Sequence, residues 1–127
     1  MSNLQLLGVH DRGVPGSERI QIRVNANGAL TGFWLGLGIK QADGKIFPIN
    51  DNQFWFGNGY VITGDWINVY TGKGSPSSVE LPNTNNKVFS TYWNRANVLF
   101  QLPEIFPYLI EANNVYYSED MRSLPSA

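Results

Sequence analysis

The chain has 127 residues, of which 43% are hydrophobic and only 15% are charged, a length that fits one domain. Few charges, 13% aromatic residues and 20 glycines and prolines together (13 Gly, 7 Pro) favour an all-β domain over a helical one. A net charge of −1 gives no overall attraction to nucleic acid or anionic membranes, and the absence of cysteine excludes disulfides and thiolate sites.

Alternation of apolar and polar residues predicts the strands in the first half of the chain. The clearest strand is 18–24, where Ile20, Ile22 and Val24 share one face. Further strands are predicted at residues 4–10, 33–39, 46–49, 53–56 and 60–62. Turn-forming residues separate them at 11–17, 25–28, 42–45, 50–52 and 57–59.

Residues 33–39 and 64–74 have additional features. In the first segment, Gly36 and Gly38 lie on the same face as Trp34, which predicts a bulge or the close approach of another part of the chain. We interpret this face as a packing surface rather than a ligand cleft. In the second segment, Ile67 and Val69 define a buried face, and the glycines of residues 72–74 end the strand.

The second half of the chain is less regular. Residues 72–87 lack periodicity apart from a short piece at 79–81, and predict a long loop that is either functional or disordered. Strands are predicted at 88–93 and 98–100, and a helical turn or irregular crossing at 102–107. A last hairpin is predicted from residues 108–112 and 115–118. Together these elements predict one β-sandwich domain of about nine short strands at residues 1–118, with a flexible tail at 119–127.

Four segments, in order, resemble the lamin-tail domain family. Residues 30–35 (LTGFWL) resemble its Leu-x-Gly-Trp-x-Leu strand, and residues 43–49 (DGKIFPI) are similar to the hairpin arm that follows. Residues 69–74 (VYTGKG) resemble its Val-x-Thr-Gly-x-Gly strand and loop, and residues 92–95 (YWNR) its later Tyr-Trp-Gly element. The resemblance implies an immunoglobulin-like antiparallel β-sandwich and a mostly non-catalytic module that binds proteins or nucleic acid.

No set of residues predicts a reaction or a metal site. The one histidine, His10, precedes Asp11, but no Gly-x-Ser-x-Gly nucleophile elbow is present, so His10 is interpreted as a strand-end residue. Asp43, Asp51 and Asp65 each lie beside glycine or asparagine, which turn formation explains. One histidine without cysteine argues against zinc, and no calcium loop or phosphate-binding loop has the required spacing. We therefore expect no catalytic residues, metal or cofactor.

Aromatic side chains are the predicted binding residues: Trp55, Trp66, Tyr70 and Trp93. The first hypothesis is a binding or assembly module that acts through protein contacts, with another protein or as a homo-oligomer. The alternative is a carbohydrate-binding β-sandwich that stacks sugars on surface aromatics; the small-molecule ligand is unknown. A third hypothesis is a small hydrolase that uses His10.

The remaining expectations concern nucleic acid and location. Arg19, Arg23 and Arg95 would have to form a local patch for nucleic-acid binding, which the net charge of −1 argues against. The N-terminal residues lack a basic and apolar signal sequence. The longest apolar run, residues 33–39, is far shorter than the ~20 residues of a membrane helix. We expect a soluble, cytoplasmic protein without a membrane partner.

Overall fold

A computed structural model describes residues 3–114 and 116 of the chain. These residues form strands over about half their number and no helix, so none of them belongs to a helix that could span a membrane. The all-β prediction is confirmed. The strands are β1 (Leu4–His10), β2 (Arg19–Val24), β3 (Gly28–Ala29), β4 (Phe33–Lys40), β5 (Ile46–Trp55), β6 (Tyr60–Val61), β7 (Trp66–Tyr70), β8 (Ser77–Glu80), β9 (Lys87–Tyr92) and β10 (Ile105–Glu111).

The strands form three open sheets. The largest has the order β1-β2-β7-β9-β8, the second the order β10-β4-β5, and the third pairs β3 with β6. The arrangement is consistent with a β-sandwich. One pair departs from the predicted antiparallel arrangement, because β7 and β9 are parallel. After β7 the chain forms the edge strand β8 and then turns back as β9, which is antiparallel to β8. Strand β9 lies between β7 and β8 in the sheet and runs parallel to β7.

One hydrophobic core lies between the sheets. It is formed by the apolar residues that the two-residue alternation predicted to be buried. The five-stranded sheet contributes Leu4, Ile20, Ile22, Val24, Ile67 and Val69, and the three-stranded sheet contributes Phe33, Leu35 and Leu37. Burial of each such side chain stabilises the fold by roughly 1.5–3 kcal/mol. We call the opposite side of each sheet its outer face.

The predicted turn at residues 50–52 is wrong. Strand β5 runs through this segment without reversing direction. Gln53 pairs with Gly36 and Pro48 pairs with Gly38, so residues 49–52 bulge opposite a single residue of β4. Asp51 has a φ of 62°, a backbone conformation that Asn and Asp adopt more readily than most residues. The turn-forming residues therefore produce a bulge inside one strand.

Three predictions in the second half of the chain are also corrected. Residues 98–100 are not a strand, although Phe100 is buried in the core. The segment 102–107, predicted as a helical turn or an irregular crossing, contains a turn at 103–104 and then the start of β10, which passes through Pro107. Proline is tolerated there because β10 is an edge strand of its sheet. The predicted long loop at 72–87 contains β8. Val115 and residues 117–127, with most of the predicted last strand and the tail, lie outside the described residues.

A buried carboxylate, that of Glu18, connects the segments at one end of the core. Its Oε1 accepts hydrogen bonds from Thr71 Oγ1 at 2.8 Å and from the Leu99 backbone N–H at 2.7 Å. Its Oε2 accepts from the backbone N–H of Gly13 at 2.7 Å and of Phe100 at 3.2 Å. A buried carboxylate is costly without hydrogen-bond donors. Since these donors come from the loop before β2, the end of β7 and residues 99–100, the carboxylate holds three segments together.

A second buried carboxylate, that of Asp65, joins the turn before β7 to the turn before β9. It accepts hydrogen bonds from the backbone N–H of Ile62 at 2.9 Å, from Asn86 Nδ2 at 3.1 Å and from the Lys87 N–H at 2.9 Å. Burial raises the pKa of Asp65, but the donors from Ile62, Lys87 and Asn86 and the positive charge of Lys87 outweigh burial, so its pKa is lowered. Asp65 therefore does more than form a turn.

Candidate binding surfaces

The four predicted binding residues lie in three places. Trp66 and Tyr70 lie together on the outer face of the five-stranded sheet, because two-residue alternation places both opposite the buried side chains of β7. Trp55 lies on the three-stranded sheet, paired with Trp34. Trp93 packs against the core, with its ring centroid 5.5 Å from that of Phe54. Trp93 is therefore half-buried and packed against the core, whereas Trp55 is an exposed side chain.

Strand register arranges the outer face of the five-stranded sheet in three rows that cross the strands. The side chains of the middle row are polar and uncharged: Gln21, Asn68, Ser90 and Ser77. One flanking row consists of Arg19, Tyr70 and Tyr92, and the other of Arg23, Trp66, Val88 and Val79. Strand geometry separates the flanking rows by about 13 Å. We call these three rows the transverse groove, with the middle row as its floor.

Contacts within the flanking rows hold the aromatic rings in place. Tyr70 and Tyr92 stack with centroids 5.2 Å apart and an interplanar angle of 18°. The Arg19 guanidinium lies 5.8 Å from the Tyr70 centroid, and that of Arg23 lies 5.6 Å from the Trp66 centroid. Such cation–π contacts contribute about 0.5–1 kcal/mol each at exposed sites. The rings are therefore positioned before any ligand binds.

The floor of the groove contains a polar atom without a partner. Within the described part of the chain, Asn68 Oδ1 is buried and accepts no hydrogen bond. The residue Asn68 lines a cavity of about 330 Å³ together with Gln21, Trp66, Leu81 and Val88. A buried, unsatisfied acceptor costs about 1–3 kcal/mol, so this atom has an unmet requirement for a donor. Alternation placed Asn68 beside Tyr70, but no sequence signal indicated that its oxygen lacks a partner.

The outer face of the three-stranded sheet carries a second aromatic surface. Its members are Trp34, Trp55, Tyr108 and Ile110, which we call the tryptophan face. The two tryptophan rings stack with centroids 6.4 Å apart, and Trp55 Nε1 donates a hydrogen bond to the Thr31 carbonyl at 2.9 Å. Trp55 is nevertheless 46% exposed.

Tyr108 lies across Gly36, close enough that a Cβ there would overlap its ring. This explains one of the two glycines on this face: Gly36 leaves room for a side chain from the neighbouring strand, as the packing interpretation requires. The register positions next to the tryptophan face are uncharged: Gly36, Gly38, Gln53, Pro48 and Phe106. Beyond them, the charged groups of Arg12 and Lys40 lie 4.7 Å and 5.3 Å from the centroid of the Phe106 ring. The face is therefore apolar and rigid.

The residues considered for catalysis, metal and nucleic acid lie elsewhere. His10 is exposed at the end of β1, and Asp11 forms an ion pair with Arg19 at 3.0 Å. Among residues 3–114 and 116, no three His, Asp or Glu side chains are grouped closely enough to hold a metal ion. Arg19 and Arg23 share the transverse groove, whereas Arg95 lines a different cavity of about 370 Å³ beside Thr71 and Gly72.

Comparison of the chain with family models, with curated proteins and with solved structures gives no match. The resemblance to lamin-tail domains and the immunoglobulin-like topology therefore stay predictions. The two outer faces are the surfaces of the described residues that carry candidate binding side chains.

Proposed function

We propose that the chain is a non-catalytic assembly module, an immunoglobulin-like sandwich of lamin-tail type, and that two copies associate through their tryptophan faces. The observation that carries the proposal is the stacked pair Trp34 and Trp55, surrounded by uncharged positions on the outer face of a sheet. Contiguous apolar surfaces of this kind are rare on monomers and mark contact sites.

The chemistry of the face is that of an interface core. Such cores are depleted in charge and enriched in tryptophan and tyrosine, which contribute most of the binding energy. The Trp55 ring is held by Trp34 and by the Thr31 carbonyl, so little conformational entropy is lost when a partner covers it.

A second copy is the occupant that matches this surface. The charged groups of Arg12 and Lys40 lie over the Phe106 ring at the margin of the tryptophan face. The face itself is apolar, and an apolar face is chemically complementary to itself. A two-fold contact would cover both faces at once. Association of strand edges is disfavoured at β5, because Pro48 and the bulge at residues 49–52 interrupt the edge. At this edge, packing of face against face is therefore favoured over sheet extension.

Light scattering and analytical ultracentrifugation over about 1 μM to 1 mM protein test the proposal. We expect a dimer that Trp55→Gln weakens at least about tenfold, because a central tryptophan is lost. Trp66→Gln is the matched control, since Trp66 lies on the other sheet, and it should leave the dimer unchanged. A wild-type monomer across the whole range would overturn the proposal, as would a dimer insensitive to Trp55→Gln.

A further inference from the structure

We propose that the transverse groove is a binding site for a chain of uncharged sugars. This site lies on the five-stranded sheet, so the inference is separate from association through the tryptophan face. It joins three observations: an uncharged polar floor, an unpartnered acceptor at its centre, and aromatic rings fixed on both sides.

The floor matches hydroxyl groups. The side chains of Gln21, Asn68, Ser90 and Ser77 each offer both a donor and an acceptor. A sugar hydroxyl also donates and accepts, so it can pair with either group of such a floor. The amide and hydroxyl groups of the floor carry no charge, which agrees with a neutral ligand. The two arginines of the flanking rows lie over the Tyr70 and Trp66 rings, and Arg19 is also paired with Asp11.

The unpartnered oxygen of Asn68 disfavours an anionic group placed directly against it. Asn68 Oδ1 accepts hydrogen bonds only, and an ionised carboxylate or phosphate oxygen also only accepts. Placing one against the other would oppose two lone pairs. A rotation of the Asn68 amide toward the cavity would let a hydroxyl of the ligand donate to Oδ1 and remove the cost of an unsatisfied buried acceptor.

Each flanking row supplies an aromatic surface beside the arginine that contacts its ring. Trp66 lines the cavity itself, and Tyr70 lies across the floor from it, about 13 Å away by strand geometry. The C–H faces of sugar rings pack on aromatic rings, while their hydroxyls bind the polar floor. The floor crosses four strands, or roughly 14 Å, which favours a chain of sugars over a single one.

An extended peptide fits this groove less well. Peptides that bind sheets usually add a strand to an open edge, where backbone N–H and C=O groups are free. The groove crosses the interior strands β2, β7 and β9, which are paired on both sides. The backbone N–H and C=O groups of a peptide lying there could form hydrogen bonds only with the four side chains of the floor. Sugar hydroxyls, in contrast, can each rotate to donate or to accept.

Isothermal titration calorimetry of the full chain tests the inference with cello-, xylo-, manno- and laminari-oligosaccharides, and with oligogalacturonate as the charged comparison. We expect binding to at least one neutral oligosaccharide and none to oligogalacturonate. Asn68→Leu and Trp66→Leu should each weaken it at least about tenfold, because a central donor–acceptor contact or a stacking ring is lost. Trp55→Gln is the control on the other sheet and should bind normally.

Four results would overturn the inference. The first is no heat with any neutral oligosaccharide at about 5 mM from protein that circular dichroism shows to be folded, since weak sites still bind in this range. The second is binding of oligogalacturonate alone. The third is sugar binding that Asn68→Leu leaves intact. The fourth is a change in association state, without sugar binding, caused by Asn68→Leu or Trp66→Leu, which would identify the groove as a protein interface.

Asn68→Leu removes an unsatisfied atom and should remain folded, so loss of binding cannot be ascribed to unfolding.

Discussion

The Thr71 hydroxyl donates a hydrogen bond to Glu18 Oε1 at 2.8 Å, although 53 residues separate the two positions in the chain. Glu18 and Thr71 are almost completely buried, with 1% and 2% of their surfaces exposed, respectively. The same carboxylate receives the N–H groups of Leu99 and Phe100, so it connects the start of β2, the end of β7 and the segment that precedes β10. A single buried charge therefore holds one end of the core closed.

Glu18→Gln should destabilise the fold by about 2–4 kcal/mol, because the amide would direct N–H groups at neighbouring donors in a buried site. Thr71→Val should cost about 1.5–3 kcal/mol by removing one donor to the charge. Urea denaturation measures both values, and Thr71→Ser is the control that keeps the hydroxyl. In the double variant the losses should be clearly less than additive, since the two residues share one interaction. Additive losses would contradict a direct Glu18–Thr71 bond.

Asp65 should make the stability of the protein depend on acidic pH. Its pKa is lowered in the folded state, because hydrogen bonds from Ile62, Lys87 and Asn86 outweigh the opposing effect of burial. An unfolded aspartate titrates near pH 3.9, so the ionised form stabilises the fold above about that pH. The contribution is lost as pH falls through the lower pKa of the folded state. The free energy of unfolding, measured in urea from about pH 2.5 to 6, should fall at the acidic end.

Asp65→Asn is the control for this pH dependence. The variant should be less stable than the wild type at pH 6, because it loses a charged acceptor for three donors. The difference between the two proteins should shrink as the pH is lowered. A difference that stays constant with pH would show that Asp65 does not contribute to acid sensitivity.

Gly36→Ala should destabilise the three-stranded sheet by about 1–3 kcal/mol, because the new methyl group would overlap the Tyr108 ring. Thermal and urea denaturation measure the effect. Tyr108→Ala introduced together with Gly36→Ala should remove most of the cost of the alanine. Gly72→Ala is the control, since a Cβ at that position meets nothing nearer than the Gly16 Cα at 4.0 Å. Equal losses at positions 36 and 72 would argue against the packing of Tyr108 on Gly36.

Asn68→Leu should raise the stability of the unliganded protein by about 1–2 kcal/mol, because it removes a buried oxygen that has no hydrogen-bond partner. The urea midpoint should increase without a change in the slope of the transition. Asn68→Asp provides the opposite case, since a charge placed against the same floor should destabilise the fold. A destabilised Asn68→Leu variant would show that the amide has a structural role.

The positions of the four aromatic residues on the outer faces and in the core were only partly predictable from the sequence. The spacing of Trp66 and Tyr70 placed both on one face of β7, where the structure has them. Trp55 and Trp93 gave equally strong signals, but one lies on the other sheet and the other packs against the core. An aromatic side chain stabilises a core and a surface site by the same chemistry, so composition alone cannot separate the two roles.

The sequence by itself determined the all-β class, the core residues of β2, β4 and β7, and most strand positions, because two-residue alternation is a local property of the chain. Only the tertiary structure decided that β9 runs parallel to β7, that residues 50–52 form a bulge, and that Asn68 lacks a partner. It also decided that Glu18 meets Thr71. These features depend on which segments become neighbours across long stretches of chain, and no local pattern of residues specifies that choice.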